Sequence, residues 1–325
     1  MVARLGTGGG VAEPRFDHVA AGKGHYESFY LRAVDPAAPR AAWIRYTTHQ
    51  RPGEPPTGSL WCTYSDARAG TPYAVKQTLP APAVEPGGWI RIGESTFGPG
   101  AARGRAEGRG RSAAWTLDLR GDAAPLRHLP RAWMYRAPVP RTKLESPLPG
   151  ATFDGTLELG GRGPVTVAGW RGMAGHNWGA EHAATWIWLH GVAFKGEPGA
   201  WLDLSVGRVR LGPVLTPWIA NGAVHVRGER TRLGGTRPAR VTATPEGSRI
   251  EVAGAFIEAR SPAGQTVAWP YADPGGGEHH SLNCSIAEVS VRIAGRELRS
   301  AHGGVYELGV APGAHGVELQ PFPDG

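Results

Sequence analysis

The chain has 325 residues, a length that exceeds one small barrel and fits two domains of roughly 150 residues. Glycine and proline are abundant, at 49 and 29 residues, but 41% of the residues are hydrophobic and 12 are tryptophan, which excludes a wholly disordered chain. The net charge of +7 comes almost entirely from arginine. The two cysteines, Cys62 and Cys284, are far apart in sequence, so neither a disulfide framework nor a structural zinc site is expected.

The sequence predicts a cytoplasmic protein, with peripheral contact to an anionic membrane as a possibility. The first ten residues lack the apolar core of a secretory signal, and no apolar run reaches the roughly 18 residues of a membrane-spanning helix. The one basic run, residues 103–111, indicates a solvated hairpin tip, with contact to phosphates or an anionic membrane surface as the alternative. Aromatic residues are not interleaved with these arginines, so nucleic acid is not an expected partner.

Apolar residues alternate with polar ones along most of the chain, which predicts many short β-strands. In chain order these are residues 28–34, 42–48, 58–64, 114–119, 156–159, 165–170, 185–194, 200–206, 223–227, 240–244, 250–256, 288–293 and 304–308. Turn residues separate them at intervals of roughly ten, which is typical of a β-sandwich or an up-and-down barrel. No window shows a convincing helical period, so little helix is expected.

A proline-rich segment, residues 126–150, predicts the crossover between two domains. It contains Pro130, Pro138, Pro140, Pro147 and Pro149. The predicted domains are therefore an N-terminal β-domain of residues 1–135 and a C-terminal β-domain of residues 136–325.

Residues 172–190 contain the densest mixture of aromatic and ionisable side chains, and Trp201 and Asp203 follow closely. The segment includes His176, Trp178, Glu181, His182, Trp186, Trp188 and His190. The mixture indicates a hydrophobic pocket with a few ionisable groups directed into it; a core strand with satisfied aromatic side chains is the alternative. On a strand, alternate residues share a face, which groups Trp186 with Trp188 and His190, and Trp201 with Asp203.

A second cluster, residues 269–284, carries Trp269, Tyr271, His280 and Asn283. Adjacent His279 and His280 point to opposite sides of a strand, so at most one of them faces a pocket. Cys284 is interpreted as buried and inert. A metal site formed by His176, His182 and His190 is conceivable, but their spacing matches no compact ligand motif. The prediction is therefore no metal and no cofactor.

Two motifs resemble known protein families. Residues 27–33 resemble the glutamate–aromatic entry motif of tocopherol cyclase-like proteins. The pair His176 and Trp178, followed by the pair Trp201 and Asp203, resembles the carotenoid 1,2-hydratase (hydroxyneurosporene synthase) family, to which lipocalin-like Diels–Alderases are related. The resemblance implies an all-β fold of two packed lipocalin-like antiparallel barrels, with a ligand site between or within them. Trp201 departs from the family, which carries tyrosine there, and an indole cannot take over the acid–base role of a phenol.

The resemblance implies catalysis at these four motif positions. The expected activity is that of a hydratase or cyclase acting on an alkene of a hydrophobic isoprenoid or polyene, by acid-initiated hydration or cyclisation. Asp203 would be the general acid, with its pKa raised by burial, and His176 would orient it or accept a proton from water. Trp178 and Trp201 would stabilise the cation. A pericyclase of the same fold and a non-catalytic lipid-binding protein are the alternatives.

The substrate-binding residues predicted from sequence share an aromatic or polar side chain near one of these clusters. They are Glu27, Trp61, Glu181, Trp186, Trp188, His190, Trp269, Tyr271, His280 and Asn283.

Overall fold

A computed structural model describes residues 12–235 and 237–322, and these residues form an almost purely β structure. They contain 23 strands and two short 3-10 helices, Phe16–His18 and Ala132–Tyr135, with no α-helix among them. The all-β prediction is therefore confirmed. The strands are β1 (His25–Val34), β2 (Arg40–Gln50), β3 (Thr57–Asp66), β4 (Tyr73–Pro80), β5 (Ile90–Ile92), β6 (Ser95–Phe97), β7 (Ala101–Gly108), β8 (Arg111–Arg120), β9 (Leu126–Arg127), β10 (Thr142–Leu159), β11 (Val165–Gly179), β12 (Thr185–Gly191), β13 (Trp201–Arg208), β14 (Arg210–Leu211), β15 (Val214–Leu215), β16 (Ile219–Val226), β17 (Glu229–Gly234), β18 (Arg240–Thr244), β19 (Gly247–Val252), β20 (Ala255–Arg260), β21 (Val267–Ala272), β22 (Glu278–Ile293) and β23 (Arg296–Val310).

The first sheet contains eleven strands in a nearly closed barrel. Its order is β4-β3-β2-β1-β11-β10-β8-β7-β6-β5, and β9 pairs with β10. Side chains bridge the gap between β4 and the β7–β8 hairpin. The Tyr73 hydroxyl donates to the Ser112 carbonyl at 2.9 Å and accepts from the Ser112 amide at 3.0 Å. Such side-chain bonds satisfy backbone groups that would otherwise be exposed at a sheet edge.

The second sheet contains ten strands and forms a half-barrel. Its order is β17-β16-β13-β12-β23-β22-β20-β19-β18, with β21 paired to β22, and β14 and β15 form a separate ribbon. The two sheets together make a double lipocalin-like fold. One predicted strand is divided in two: residues 250–256 form a hairpin, because Ala253 and Gly254 both have positive φ between β19 and β20.

The proline-rich segment does not separate the two sheets. Its last residues belong to β10, and β10 and β11 both pair within the first sheet. Pro147 and Pro149 lie where the β10–β11 register shifts, between Glu145 and Ala151; bulges of this kind tolerate a residue that lacks an amide hydrogen. The chain passes from the first sheet to the second at residues 180–184, well after the predicted boundary at residue 135.

Arg32 joins the two sheets at their centre. Its side chain is fully buried, and it donates to the Ser285 carbonyl of β22 at 2.8 Å from Nη2 and 3.3 Å from Nε. Its Nη1 lies 3.4 Å from Nδ1 of His190 on β12. Burial lowers the pKa of Arg32 to about 9. These bonds fix how β1 of the first sheet faces β12 and β22 of the second.

The basic run at residues 103–111 forms the β7–β8 hairpin, as its sequence indicated. Arg103 pairs with Asp118 and Arg105 pairs with Glu107, all with side chains substantially exposed. Exposed pairs of this kind contribute little to stability. Within the described residues, no helix has the length and apolar character needed to span a bilayer.

Candidate functional site

A cavity of about 580 Å³ lies between the two sheets. Five aromatic side chains, Tyr30, Trp43, Trp186, Trp188 and Tyr271, form much of its wall. Its other lining residues come from both sheets and from the segment that covers them: Arg45, Leu129, Trp133, Met134, Ala137, Pro138, Val139, Pro140, Thr142, Leu144, Asn177, His182, Ala183, Ser205, Gly207, Val209, Thr216, Ile219, Asn221 and Glu307. An apolar, aromatic cavity with a few polar groups is what a hydrophobic small molecule requires.

Two glycines shape this cavity by allowing aromatic rings to lie across the backbone. Gly175 is opposite Tyr30 in the β1–β11 pairing, and a Cβ atom at Gly175 would lie 2.3 Å from the Tyr30 ring. Gly309 is opposite Trp186 in the β12–β23 pairing, and a Cβ atom there would lie 2.1 Å from the indole. Any larger residue at either position would have to displace the ring that lines the cavity.

Glu307 is the carboxylate in the cavity wall. It lies directly opposite Trp188 on β23 and is largely buried. Its Oε1 accepts a hydrogen bond from the Trp186 indole at 2.9 Å, and its Oε2 accepts one from the Asn283 amide at 3.0 Å. Two donors fix the orientation of the carboxyl group and leave further acceptor positions on each oxygen. Glu307 is therefore an acid–base group of fixed orientation that a ligand in the cavity can reach.

His182 is the second acid–base group in the cavity wall. Its Nδ1 lies 2.6 Å from Oδ1 of Asp273, and its backbone amide donates to the same oxygen at 2.7 Å. The imidazole stacks on Tyr26 at 4.1 Å. Because Asp273 orients Nδ1 and Tyr26 fixes the ring plane, Nε2 is the nitrogen left for proton exchange with a ligand or water.

The described residues bring together one set of possible metal ligands, His182, Asp273 and His279, with ligand atoms within 4.8 Å of one another. Two imidazoles and a carboxylate suit zinc or iron. His279 Nδ1 is buried without a hydrogen bond and lies 3.5 Å from Asp273 Oδ2. The set considered from sequence is not formed, because His176 and His190 bind other partners.

His190 is a neutral histidine behind the cavity. Its Nε2 lies 3.0 Å from the Pro149 carbonyl, which can only accept, so Nε2 carries the hydrogen and Nδ1 faces Arg32. Burial, followed by the charge of Arg32, lowers the pKa of His190 to about 4, although Asp203 opposes the shift. His190 thus links the sheets and does not line the cavity.

Asp203 is fully buried behind Trp188, outside the cavity lining. Its Oδ2 accepts from Ser146 and lies 3.3 Å from His128 Nε2, and its Oδ1 accepts from the Trp188 indole at 3.2 Å. The predicted rise in its pKa is wrong. Burial does oppose ionisation, but the charge and hydrogen bonds of His128, together with His190 and Ser146, lower the pKa below its ordinary value.

The hydrogen bonds of His128 are consistent with an ionised Asp203. Nδ1 of His128 lies 3.0 Å from the Asn221 carbonyl and must donate to it. Nε2 faces the Asp203 carboxylate, which also requires a donor. An imidazolium with hydrogens on both nitrogens satisfies both contacts. On this hydrogen-bond geometry we assign His128 and Asp203 as a buried ion pair that joins the segment after β9 to β13.

His176 contacts two glutamates and does not contact Asp203, so its predicted role in orienting Asp203 is wrong. Nε2 lies 2.7 Å from Glu27 Oε1, and Nδ1 lies 3.4 Å from Glu145 Oε1. Burial opposes protonation, but the two carboxylates together raise the pKa of His176. Burial also acts against ionisation of Glu27, yet hydrogen bonds from His176 and His25 lower its pKa to about 2.

Glu27 also holds the N-terminal segment, accepting from the backbone amides of Arg15 and Phe16. The His176 ring stacks on Phe29 at 4.2 Å and on Trp178 at 4.6 Å. Glu27 and His176 thus form a buried charged cluster outside the cavity wall, and its bonds connect the segment before β1 to strands β1, β10 and β11.

The indoles of Trp178 and Trp201 do not line the cavity. Trp178 packs against Tyr135 and beneath the Arg15 guanidinium, which lies 4.2 Å from the ring. Trp201 stacks on His225 at 5.4 Å. The four motif positions therefore lie in two separate places, His176 and Trp178 in the first sheet and Trp201 and Asp203 in the second.

Three of the ten predicted substrate-binding residues line the cavity: Trp186, Trp188 and Tyr271. The other seven are Glu27, Trp61, Glu181, His190, Trp269, His280 and Asn283, and each has another observed contact. Trp61 packs edge-on against Trp269 at 4.9 Å, Glu181 pairs with Arg141, and His280 lies 3.0 Å from His315. Asn283 does not line the cavity, but it donates a hydrogen bond to Glu307, which does.

The polar cavity residues that sequence reasoning missed include Arg45, Asn177, Asn221 and Glu307. For Arg45 and Glu307 the available signal was a charged residue within a predicted strand that contains no other charge. Arg45 interrupts residues 42–48 and Glu307 interrupts residues 304–308. Buried charges are rare and usually have a partner or a function, so each of these two positions marked the site.

Comparison with known proteins identifies the fold and no established activity. No protein-family model matches the chain. An uncharacterised protein from two strains of Mycobacterium tuberculosis is 27% identical over 300 residues, covering 88% of this chain and 87% of its own length. A solved structure of kievitone hydratase from Nectria haematococca has a TM-score of 0.55 at 10% identity, with 89% of each chain covered. A protein from Nitrosomonas europaea proposed to be AttH has a TM-score of 0.52 at 16% identity, covering 87% of this chain and 92% of that one.

Proposed function

We propose that this protein is a hydratase-type enzyme that adds water to, or cyclises, an alkene of a hydrophobic small molecule bound between the two sheets. The observation that carries the proposal is an aromatic cavity of about 580 Å³ whose wall contains two oriented acid–base groups, Glu307 and His182. The likeness in fold to kievitone hydratase supports the same class of reaction. An isoprenoid or polyene is the substrate class that suits the lining.

In the proposed mechanism, Glu307 in its carboxylic acid form donates a proton to one alkene carbon. A new C–H bond forms and the neighbouring carbon becomes cationic. The faces of Trp186 and Trp188 then lie beside the cation, where each ring contributes roughly 0.5–2 kcal/mol of stabilisation. Water attacks the cation, and His182 accepts the proton that the water loses. In cyclisation a second alkene attacks instead, and the same base removes the final proton.

Asp203 is the second candidate for the acid, because Trp188 connects it to the cavity by donating to Oδ1. Two features favour Glu307 over it. Glu307 is part of the wall, whereas Asp203 lies behind Trp188. In addition, the lowered pKa of Asp203 favours the ionised form, which cannot protonate carbon. In this proposal Asp203 holds the Trp188 indole in position.

Isotope labelling tests the reaction class. The purified protein is incubated with a panel of isoprenoid and polyene alkenes in D₂O and in heavy-oxygen water, and products are analysed by mass spectrometry. Hydration adds one water that carries the heavy oxygen, and proton-initiated cyclisation adds one deuteron without water. A product that gains neither label would instead indicate a pericyclase. A tightly retained lipid with no product from any alkene would indicate a binding protein and overturn the proposal.

Substitution of the acid tests the mechanism. Glu307→Gln keeps an acceptor for the Trp186 indole but cannot donate a proton to carbon, so we expect turnover to fall by roughly 10²–10⁴-fold. Glu297→Gln, at an exposed carboxylate paired with Arg299, is the matched control and should retain full activity. A Glu307→Gln variant with more than about a tenth of the wild-type rate would transfer the acid role away from Glu307.

A further inference from the structure

Arg45 carries a buried guanidinium in the cavity wall. Its side chain is 5% exposed, and it lines the cavity on β2. Nε donates to the Ser28 hydroxyl at 2.9 Å, but Nη1 is buried without any hydrogen-bond partner. Among the described residues, Arg45 forms no ion pair within 4.0 Å. A buried charge and a buried unmade hydrogen bond both destabilise a protein unless something else satisfies them.

Aromatic side chains surround the Arg45 guanidinium. The guanidinium carbon lies 4.5 Å from the centre of the Tyr271 ring, 5.2 Å from that of Trp43 and 5.3 Å from that of Trp61. Aromatic faces stabilise a cation, but the N–H groups of the guanidinium remain free to donate hydrogen bonds in the plane of the guanidinium group. Arg45 is therefore oriented by packing, with donors left for a group that enters the cavity.

The carboxylate of the cavity wall is separated from Arg45 by two aromatic rings. Tyr271 lies against Arg45, Trp186 stacks on Tyr271 at 6.1 Å, and the Trp186 indole donates to Glu307. The cavity thus has a positive position at Arg45 and an acid–base group at Glu307, with aromatic surface between them. An anionic ligand group is attracted to Arg45 and, in the part of the chain that the structure describes, meets no cation beside Glu307, which gives a bound molecule one orientation.

We propose that Arg45 is an anion subsite, and that the substrate is an amphipathic polyene or isoprenoid with a carboxylate at one end. The planar fork of a guanidinium matches a carboxylate, and hydrogen bonds between charged groups are stronger than neutral ones. This inference rests on the proposed function in taking the cavity as the substrate site. It adds that the carboxylate at Arg45 places the hydrocarbon chain along Tyr271 and Trp186 towards Glu307.

Retinoic acid and retinol form a matched pair of probes, because they share a polyene and differ in the terminal group. Binding is followed by quenching of tryptophan fluorescence, at a mildly alkaline pH where the acid is ionised. We expect retinoate to bind at least about ten-fold more tightly than retinol, since a hydrogen bond to a charged group outweighs a neutral one by this order. Equal affinities, or binding of neither probe, would overturn the proposal.

Two variants assign the preference to Arg45. Arg45→Met should bring the affinities for retinoate and retinol close together, whereas Arg45→Lys should keep part of the preference. Arg249→Met, at an exposed arginine paired with Glu258, is the control and should behave as wild type. A preference that survives in Arg45→Met would place the subsite elsewhere. A preference for retinoate without turnover of any alkene would support the anion subsite and contradict the proposed enzymatic activity. Turnover of an alkene without a preference for retinoate would support the activity and contradict the subsite.

Discussion

The His128–Asp203 pair provides a direct test of the electrostatics behind the cavity. Both side chains are at most 1% exposed, and the assigned imidazolium of His128 balances the carboxylate. His128→Leu leaves Asp203 buried without that cation. Removal of one partner from a buried ion pair costs about 3–5 kcal/mol. We expect a loss of this size in the free energy of unfolding, measured by urea denaturation at neutral pH.

The pH dependence of this loss has a definite sign. In the wild type the pKa of Asp203 is lowered, so its contribution to stability is present above the unfolded value of about 3.9 and is lost as pH falls through the lower folded value. In His128→Leu, burial without the cation should raise the pKa of Asp203 instead. The carboxylate then destabilises the fold at neutral pH, and acidification relieves that cost. The stability difference between the two proteins should therefore narrow as pH falls from 7 towards 5.

A double-mutant cycle separates this pair from general packing. In His128→Leu/Asp203→Asn no charge is left unbalanced, so the double variant should be more stable at neutral pH than His128→Leu alone. Arg249→Leu breaks the exposed pair with Glu258 and should cost no more than about 1 kcal/mol. A His128→Leu cost below about 1 kcal/mol, with no dependence on pH, would refute the assigned charges.

Three further predictions concern the shape of the cavity, the protonation of His190 and the possible metal ligands around His182. Gly309→Ala should displace the Trp186 indole and weaken retinol binding by at least about ten-fold in the fluorescence titration. Gly313→Ala, where a Cβ atom meets nothing within 4 Å, should leave retinol binding unchanged. Equal retinol affinities in the two variants would contradict the assigned shape of the cavity wall. Burial holds the pKa of His190 near 4, so its imidazole signals should not shift between pH 5.5 and 8 in an NMR titration, and its contribution to stability should decline as pH falls from about 6.5 towards 4. Dialysis against a strong chelator should leave the melting temperature unchanged, because Asp273 Oδ1 already accepts two hydrogen bonds from His182; a fall reversed by zinc would make His182, Asp273 and His279 metal ligands.

The sequence predicted strands in which apolar and polar residues alternate, because a period of two is visible without knowledge of the partner strand. The strands β1, β2, β3, β8, β13 and β22 were found in this way. The sequence did not predict β4, in which the charged Lys76 is buried, or β7, which consists of alanine, glycine and charged residues. It also could not show that β10 and β11 join the first sheet, because pairing depends on residues far apart in the chain.

Cavity residues that share one face of a single strand could be predicted from the sequence. Cavity residues that come together from different sheets could not. Trp186 and Trp188 share a face of β12, as expected, and both line the cavity. Glu307 and Arg45 reach the same cavity from β23 and β2, and no spacing within the sequence relates them. The pKa of Asp203 was predicted in the wrong direction because its cation, His128, comes from a distant segment.

The four positions that resemble the carotenoid hydratases therefore do not assemble as one catalytic group in this fold. His176 holds Glu27 and Glu145 together, and Asp203 holds His128 and the Trp188 indole. If these groups served only packing, apolar residues of similar size would often serve as well, because buried ion pairs contribute little net stability. Asp203 orients a ring of the cavity wall, which is a role that an apolar residue cannot take. A comparison of Asp203→Asn with Glu307→Gln decides which of the two carboxyl groups is the general acid. Loss of turnover in Glu307→Gln alone identifies Glu307 as the acid. An equal loss of turnover in Asp203→Asn, with the stability of the protein unchanged, would assign that role to Asp203, as the resemblance to the carotenoid hydratases implies.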